Sequence, residues 1–156
     1  MFEYLVFNNV QTLVTLLTSD LISTAINDTS NVILSIIKDD YKDYPDLIKV
    51  VKELDLIYKF KIIKSFLLLI PKKYEKINCI KLGLNGIKDI IINIYKLLIE
   101  IINIINIHKM KYLSYIRKVK YKNELLELKN LSDILDNRYN MLIKIIKIIK
   151  IKIWKK

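Results

Sequence analysis

The sequence predicts an all-α fold: a helical bundle of about five helices, closed by a long antiparallel C-terminal hairpin. Three observations predict it. Only two glycines and two prolines occur in 156 residues, too few turn formers for a sheet of many short strands. Apolar residues make up 53% of the chain and recur at spacings of three and four. Between residues 77 and 105 that spacing continues without a gap. Isoleucine is only a middling helix former, so propensity leaves the choice open and periodicity decides it.

The elements follow in chain order. A first helix is expected over 9–27, with Val10, Leu13, Leu17, Leu21 and Ile22 on one face. The cluster NDTSN, 27–31, is rich in capping residues and predicts a break, followed by a short second helix over about 31–38. DDYKDYP reads as a loop, with Pro45 at the first turn of a third helix and Asp46 near its positive end. That helix should run to Ile70, before Pro71, with Leu47, Val50, Val51, Leu54, Ile57, Tyr58, Ile62 and Phe66 on its apolar face.

The fourth helix carries a heptad seam of Ile77, Ile80, Leu84, Ile87, Ile91, Ile94, Leu98, Ile101 and Ile105. Ile90, Leu97, Ile102 and Ile104 widen the apolar surface, and Asp89, Asn93, Lys96, Glu100 and Asn103 form a narrow polar stripe. A helix this apolar belongs in the middle of its bundle. Gly83 and Gly86 weaken its first turns by about 1 kcal/mol each relative to alanine, and would permit close packing or a bend. The basic segment 108–123 interrupts the pattern. A fifth helix, about 121–153, steps through Leu125, Leu128, Ser132, Leu135, Tyr139, Leu142, Ile146, Ile149 and Ile153, and pairs with the fourth. The chain reads as one domain, 1–156, with acidic N-terminal helices over 1–70 and a basic hairpin over 72–156.

The charge map supports that division. Residues 1–56 hold four lysines against nine acids, a net of −5, while residues 57–156 hold 23 basic residues against seven acids, a net of +16. The imbalance suggests an anionic partner for the C-terminal part; a lysine-rich solvated surface explains it equally. The single cysteine, Cys79, excludes an internal disulfide framework and a cysteine zinc site. The N-terminus is apolar, but Glu3 and the lack of a basic n-region argue against a signal peptide, so secretion is not expected. No stretch of about 20 residues is both uncharged and mostly apolar, so a spanning helix is not expected; Ile90–Ile107 comes nearest, with Lys96 and Glu100 inside it.

No catalytic constellation is evident, and no cofactor or metal site is expected. His108 is the only histidine. On a continuous helix it stands about 43 Å from Cys79 at 1.5 Å per residue, which excludes a Cys–His dyad within one chain. Gly-rich phosphate loops, GxSxG and HExxH are absent.

Two clusters are candidates for binding. At the hairpin tip Lys109, Lys111, Arg117, Lys118, Lys120 and Lys122 are interleaved with Tyr112, Tyr115 and Tyr121, with no acid among them. Cations neutralise phosphates and tyrosines stack on exposed bases, so nucleic acid is one candidate partner. The C-terminal cluster, Lys144, Lys147, Lys150, Lys152, Trp154, Lys155 and Lys156, lies at the other end of the hairpin. There a packed helix end favoured by the helix dipole competes with a basic amphipathic membrane-surface helix or a partner contact.

Residues 108–147 also carry a cadence: His108, a turn bearing Tyr and Arg, Asn123–Leu125, then Ser132-Asp133-Ile134-Leu135-Asp136-Asn137-Arg138. This segment resembles the C-terminal helical part of small uncharacterised proteins of AT-rich giant, amoeba-infecting DNA viruses. The resemblance covers about a quarter of the chain. It implies a viral protein, in the virion or the cytoplasm of an infected cell, and supplies no active site. Viral Bcl-2-like bundles share an apolar central helix. Asn85-Gly86-Ile87-Lys88 is faintly similar to their Asn-Trp-Gly-Arg turn, but lacks its Trp, and the expected acid is displaced to Asp89. The leading expectation is a non-enzymatic interaction or assembly protein that forms a homo-oligomer or binds another protein. Phosphate binding and a membrane-surface or Bcl-2-like role are the alternatives, and no small-molecule substrate is indicated.

Overall fold

The structure, a computed structural model, describes residues 17–154, and no strand occurs among them. Helix α1 is Thr18–Ile37, followed by a 3-10 turn, Asp39–Tyr41. Helix α2 is Pro45–Leu54 and α3 is Leu56–Leu67. A second 3-10 segment, Lys72–Lys76, leads into α4, Asn78–Lys109; α5 is Lys122–Trp154.

The residues expected over 9–16 lie outside the described part. The break expected at 27–31 does not form: α1 runs through it. Thr29 is fully buried, and its hydroxyl donates to the carbonyl of Ala25 at 2.7 Å, so the polar group is satisfied inside the helix. Asn27 accepts a hydrogen bond from Lys64 Nζ of α3 at 3.1 Å. Tertiary partners thus turn a capping cluster into helix interior. The true start of α1 has no side-chain cap of its own at Leu17. Glu75, buried in the second 3-10 segment, takes that role from a distance: Ser19 Oγ donates to its Oε1 at 2.6 Å, and the Ser19 amide reaches its Oε2 at 3.4 Å. A carboxylate at a helix N-terminus satisfies an orphan amide and complements the dipole, worth on the order of 1 kcal/mol.

The third predicted helix divides. Asp55 adopts the left-handed region, φ 47°, ending α2 and starting α3. Aspartate tolerates this conformation better than most residues. The change of direction shifts the helical phase, so Leu47, Val50, Val51, Leu56, Phe60 and Ile63 are buried, whereas Tyr58 and Ile62, expected on the apolar face, are exposed. Helix α3 also stops before Ile70, and two i→i+3 bonds, Leu69 N to Phe66 O and Ile70 N to Leu67 O, tighten its exit towards Pro71.

The seam of α4 is occupied as the spacing predicts. Ile80, Leu84, Ile87, Ile91, Ile94, Leu98, Ile101 and Ile105 are all fully buried, Ile90 and Leu97 nearly so, and Ile77 half-buried. Asp89, Asn93, Lys96, Glu100 and Asn103 face water. By length and composition alone α4 contains a segment apolar enough to cross a membrane, with a mean hydropathy of 1.9. In this fold its apolar stripe packs instead against α1 on one side and α5 on the other. One continuous core results, from Ile22 of α1 to Ile146 of α5.

Contacts between α4 and α5 run in opposite order along the two helices. Gly83 lies against Leu142, Gly86 against Arg138, and His108 reaches Arg117 at the connection. Arg138 Nη1 donates to the Gly86 carbonyl at 2.6 Å. Lys59 of α3 ties on to the same helix, donating to Ser132 Oγ at 2.9 Å and to Asp136 Oδ2 at 2.7 Å. Ser132, the one polar position in the predicted seam of α5, is fully buried and thereby paired.

The two glycines of α4 are not equivalent. A Cβ on Gly83 would sit 2.9 Å from Leu142 Cδ1, inside the van der Waals limit, whereas on Gly86 it would meet Arg138 Cδ at an ordinary 3.6 Å. Gly83→Ala should destabilise by about 1 kcal/mol, overpacking of 1–3 kcal/mol exceeding the helix-propensity gain. Gly86→Ala should be neutral or stabilising by up to about 1 kcal/mol. Urea unfolding of the two variants should order them wild type between, with unchanged m-values.

Candidate functional site

The twelve residues joining α4 to α5, Met110–Tyr121, form the tip at which both sequence halves meet. The polypeptide there is held by its own bonds. Lys111 N donates to His108 O at 3.1 Å, Ser114 N to Lys111 O at 3.2 Å, and Ile116 N to Leu113 O at 3.0 Å; Leu113 takes the left-handed conformation, φ 60°. His108 Nε2 lies 2.6 Å from the Arg117 carbonyl. A carbonyl only accepts, so that nitrogen carries the proton, and Nδ1 is left buried without a hydrogen-bond partner. The histidine therefore acts as a brace across the turn.

Lys109 is drawn away from the cationic loop into the acidic N-terminal part. Its ammonium sits 5.3 Å from the Tyr41 ring centroid and 5.4 Å from that of Tyr44, and it reaches the Asp40 carbonyl at 3.4 Å. Each cation–π contact contributes about 0.5–1 kcal/mol at such partly exposed positions. Tyr44 in turn packs edge-on against Tyr121, with centroids 6.3 Å apart. Tyr121, grouped by spacing with the exposed tyrosines of the tip, is buried. Burial raises the phenol pKa of Tyr41, Tyr44 and Tyr121 above the ordinary 10.0. Asp40 adds to the effect at Tyr41, Asp43 at Tyr44 and Asp46 at Tyr121, where a backbone hydrogen bond at Leu47 opposes it. Tyr139, elsewhere on α5, is raised by burial alone and packs on Phe66 at 5.5 Å.

Between the tip and α2 lies a groove of 1170 Å³. Asp43, Asp46 and Glu53 stand on the α2 wall with Lys49, which approaches Glu53 at 3.9 Å in an exposed pair of little energetic weight. Tyr115, Arg117, Lys118, Lys122 and Lys129 stand on the opposite wall. Of the eight tip residues singled out in the sequence, the structure thus brings Lys109, Tyr115, Arg117, Lys118 and Lys122 to the groove. Lys111, Tyr112 and Lys120 are exposed elsewhere on the loop. Part of the charge asymmetry is answered within the molecule, since the acidic segment 40–46 folds against the basic tip. Among the tail candidates, Lys144, Lys147, Lys150 and Lys152 are exposed on α5. The side chain of Trp154, with Lys155 and Lys156, lies outside the described residues.

The groove holds three carboxylates and six amines or guanidines, with Ser114 and His108 also on its lining. Cys79 is exposed near the start of α4 and His108 stands near its end. Among the described residues no three His, Cys, Asp or Glu side chains converge to hold a metal ion. Spacing alone does not reveal the Tyr41–Lys109–Tyr44–Tyr121 cluster, because Tyr41 and Tyr44 lie far from Lys109 and Tyr121 in the chain, two of the four in helical elements and two in connections. The one available signal was the pair of tyrosines in DDYKDYP beside an acidic run. No known family model, curated protein or solved structure matches this chain.

The tyrosine shifts fix the sign of an alkaline effect. A phenol whose pKa is raised in the folded state stabilises fully below the unfolded value of 10.0, and that contribution is lost as pH rises through the folded value. Helical ellipticity should therefore fall above pH 10 in step with tyrosine ionisation read at 295 nm. The Tyr44→Phe, Tyr121→Phe double variant should hold its ellipticity to higher pH than the wild type.

Proposed function

We propose that this is a non-enzymatic interaction and assembly protein, in which α4 and α5 form a long antiparallel hairpin and the outer side of that hairpin joins a second copy. The opposed order of the Gly83–Leu142, Gly86–Arg138 and His108–Arg117 pairings supports the hairpin. The observation that carries the association is the apolar surface left in water beside an otherwise complete seam. Leu82 is 72% exposed and Met141 59%, and Ile148 is exposed as well.

These side chains are not scattered. Met141 and Ile148 lie seven positions apart on one face of α5, with the half-buried Ile145 between them and Arg138 and Lys144 at the border. Leu82 sits beside Gly83, where Leu142 packs, so Leu82 and Met141 flank the same close crossing of the two helices. An apolar strip with a charged border is the anatomy of a protein contact, and covering it removes apolar area from water at about 25 cal/mol per Å². A two-fold pairing lets the same strip serve both partners. His108 is committed to the Arg117 carbonyl, and Cys79 stands some 43 Å from it along α4 at 1.5 Å per residue, which supports reading the molecule as a scaffold rather than a catalyst.

Light scattering after gel filtration should give a mass at least twice the 18.5 kDa of one chain at about 100 µM. The Leu82→Lys, Met141→Lys variant should elute as a monomer with an unchanged unfolding midpoint, both side chains being exposed. A wild-type monomer at every concentration contradicts the proposal.

A further inference from the structure

A second group of exposed apolar residues lies at the tip, where the seam does not explain it. Within ten residues at the tip, Ile107, Met110, Tyr112, Tyr115 and Ile116 all project into water, Met110 at 87% exposure and Ile116 at 66%. Lys111, Arg117, Lys118 and Lys120 are exposed among them, and the run 107–122 contains no acid. No other described segment combines so many exposed apolar side chains with so dense a positive charge.

We infer that the tip is an anchor for an anionic lipid surface, with Met110 and Ile116 entering the acyl boundary, Tyr112 and Tyr115 at the headgroup level, and the cations on lipid phosphates and carboxylates. Three features favour a bilayer over a nucleic acid. Base stacking uses aromatic faces and leaves no role for an exposed methionine and isoleucine, which a membrane interface rewards. Tyrosine with flanking lysine and arginine is the composition of that interface, where the aromatic ring is apolar and its hydroxyl wet. The groove behind the tip is walled on one side by Asp43, Asp46 and Glu53, which oppose a nucleic-acid backbone continuing past the loop; a lipid surface needs only the loop itself.

The loop is also built to present these side chains. The His108–Arg117 brace, the turn bonds at Lys111, Ser114 and Ile116, and the left-handed Leu113 fix the backbone while its apolar side chains stay outside. Lys109, by contrast, faces back into Tyr41 and Tyr44 and fastens the base of the tip to the body of the protein. A preformed loop loses less conformational entropy when it inserts. Proximity of Asp40 and Asp43 leaves the attraction modest, so apolar insertion and charge are both needed.

The test is flotation of the full chain with vesicles of phosphatidylcholine alone or with about one-third phosphatidylserine. Wild type should float with the mixed vesicles and poorly with the neutral ones. Met110→Ser with Ile116→Ser, which leaves the charge unchanged, should weaken binding on the order of tenfold or more. Lys118→Glu with Lys120→Glu should weaken it similarly, and more so at low salt. All four residues are exposed, so unfolding midpoints should not move. In a Trp154→Phe background, Ile116→Trp should shift its emission to the blue on vesicle binding and be quenched by brominated lipid. Absent vesicle binding overturns the inference, as does binding that the Met110 and Ile116 substitutions leave intact. So does salt-sensitive oligonucleotide binding that is lost with the lysines but kept without Met110 and Ile116.

Discussion

Helix α4 has more apolar surface than one neighbour can cover, and the rest of the molecule is arranged around that fact. Its buried positions, with Ile90 and Leu97 added to the seam, span more than a single coiled-coil stripe, and α1 and α5 both lie against it. Truncating one of these side chains, such as the fully buried Ile91, to alanine should leave a cavity in the core and cost about 2–5 kcal/mol. The packing sets the remaining contacts. Gly83 lets α5 approach; Arg138 and Lys59 then fix its position with polar bonds at the margin of the core. The connection between the long helices is held at its end by Tyr121 and Val119 against the core, and across its turn by the His108 brace.

The same arrangement explains how charge is distributed. Acidic residues cluster before α2 and basic residues cluster at the tip, and the fold puts these segments together through Lys109, Tyr41 and Tyr44. What remains uncompensated is the outer part of the loop, where exposed cations and exposed apolar side chains coincide. The two proposed contacts are therefore spatially distinct. Self-association uses the α4–α5 flank near Leu82 and Met141, and lipid contact uses the turn between those helices, so each can fail without the other.

Much of the fold was legible where a single helix face carries the signal. The seam of α4 and that of α5 were readable because each repeats many times at one period, and Pro45 marked the start of α2. Other features depend on partners far away in sequence. The capping cluster at 27–31 stays helical because Thr29 is buried and Lys64, 37 positions on, reaches Asn27. Glu75 caps a helix start 56 positions earlier. The kink at Asp55 has neither glycine nor proline to announce it. At the tip, composition singled out a segment whose cations are mostly exposed. It did not separate Tyr121, which is buried, or Lys109, which is exposed but turned on to Tyr41 and Tyr44, from Lys111, Tyr112 and Lys118, which make no such contact with the acidic segment.

Hydrogen–deuterium exchange followed by peptide mass reports which helix is enclosed, because amide protection follows burial. Peptides covering 84–105 should be the slowest to exchange in the molecule, close to the global unfolding limit, while 110–120 should exchange early. Exchange of 84–105 as fast as that of the tip, or slower exchange in α2 and α3 than in α4, would contradict an interior organised around this helix.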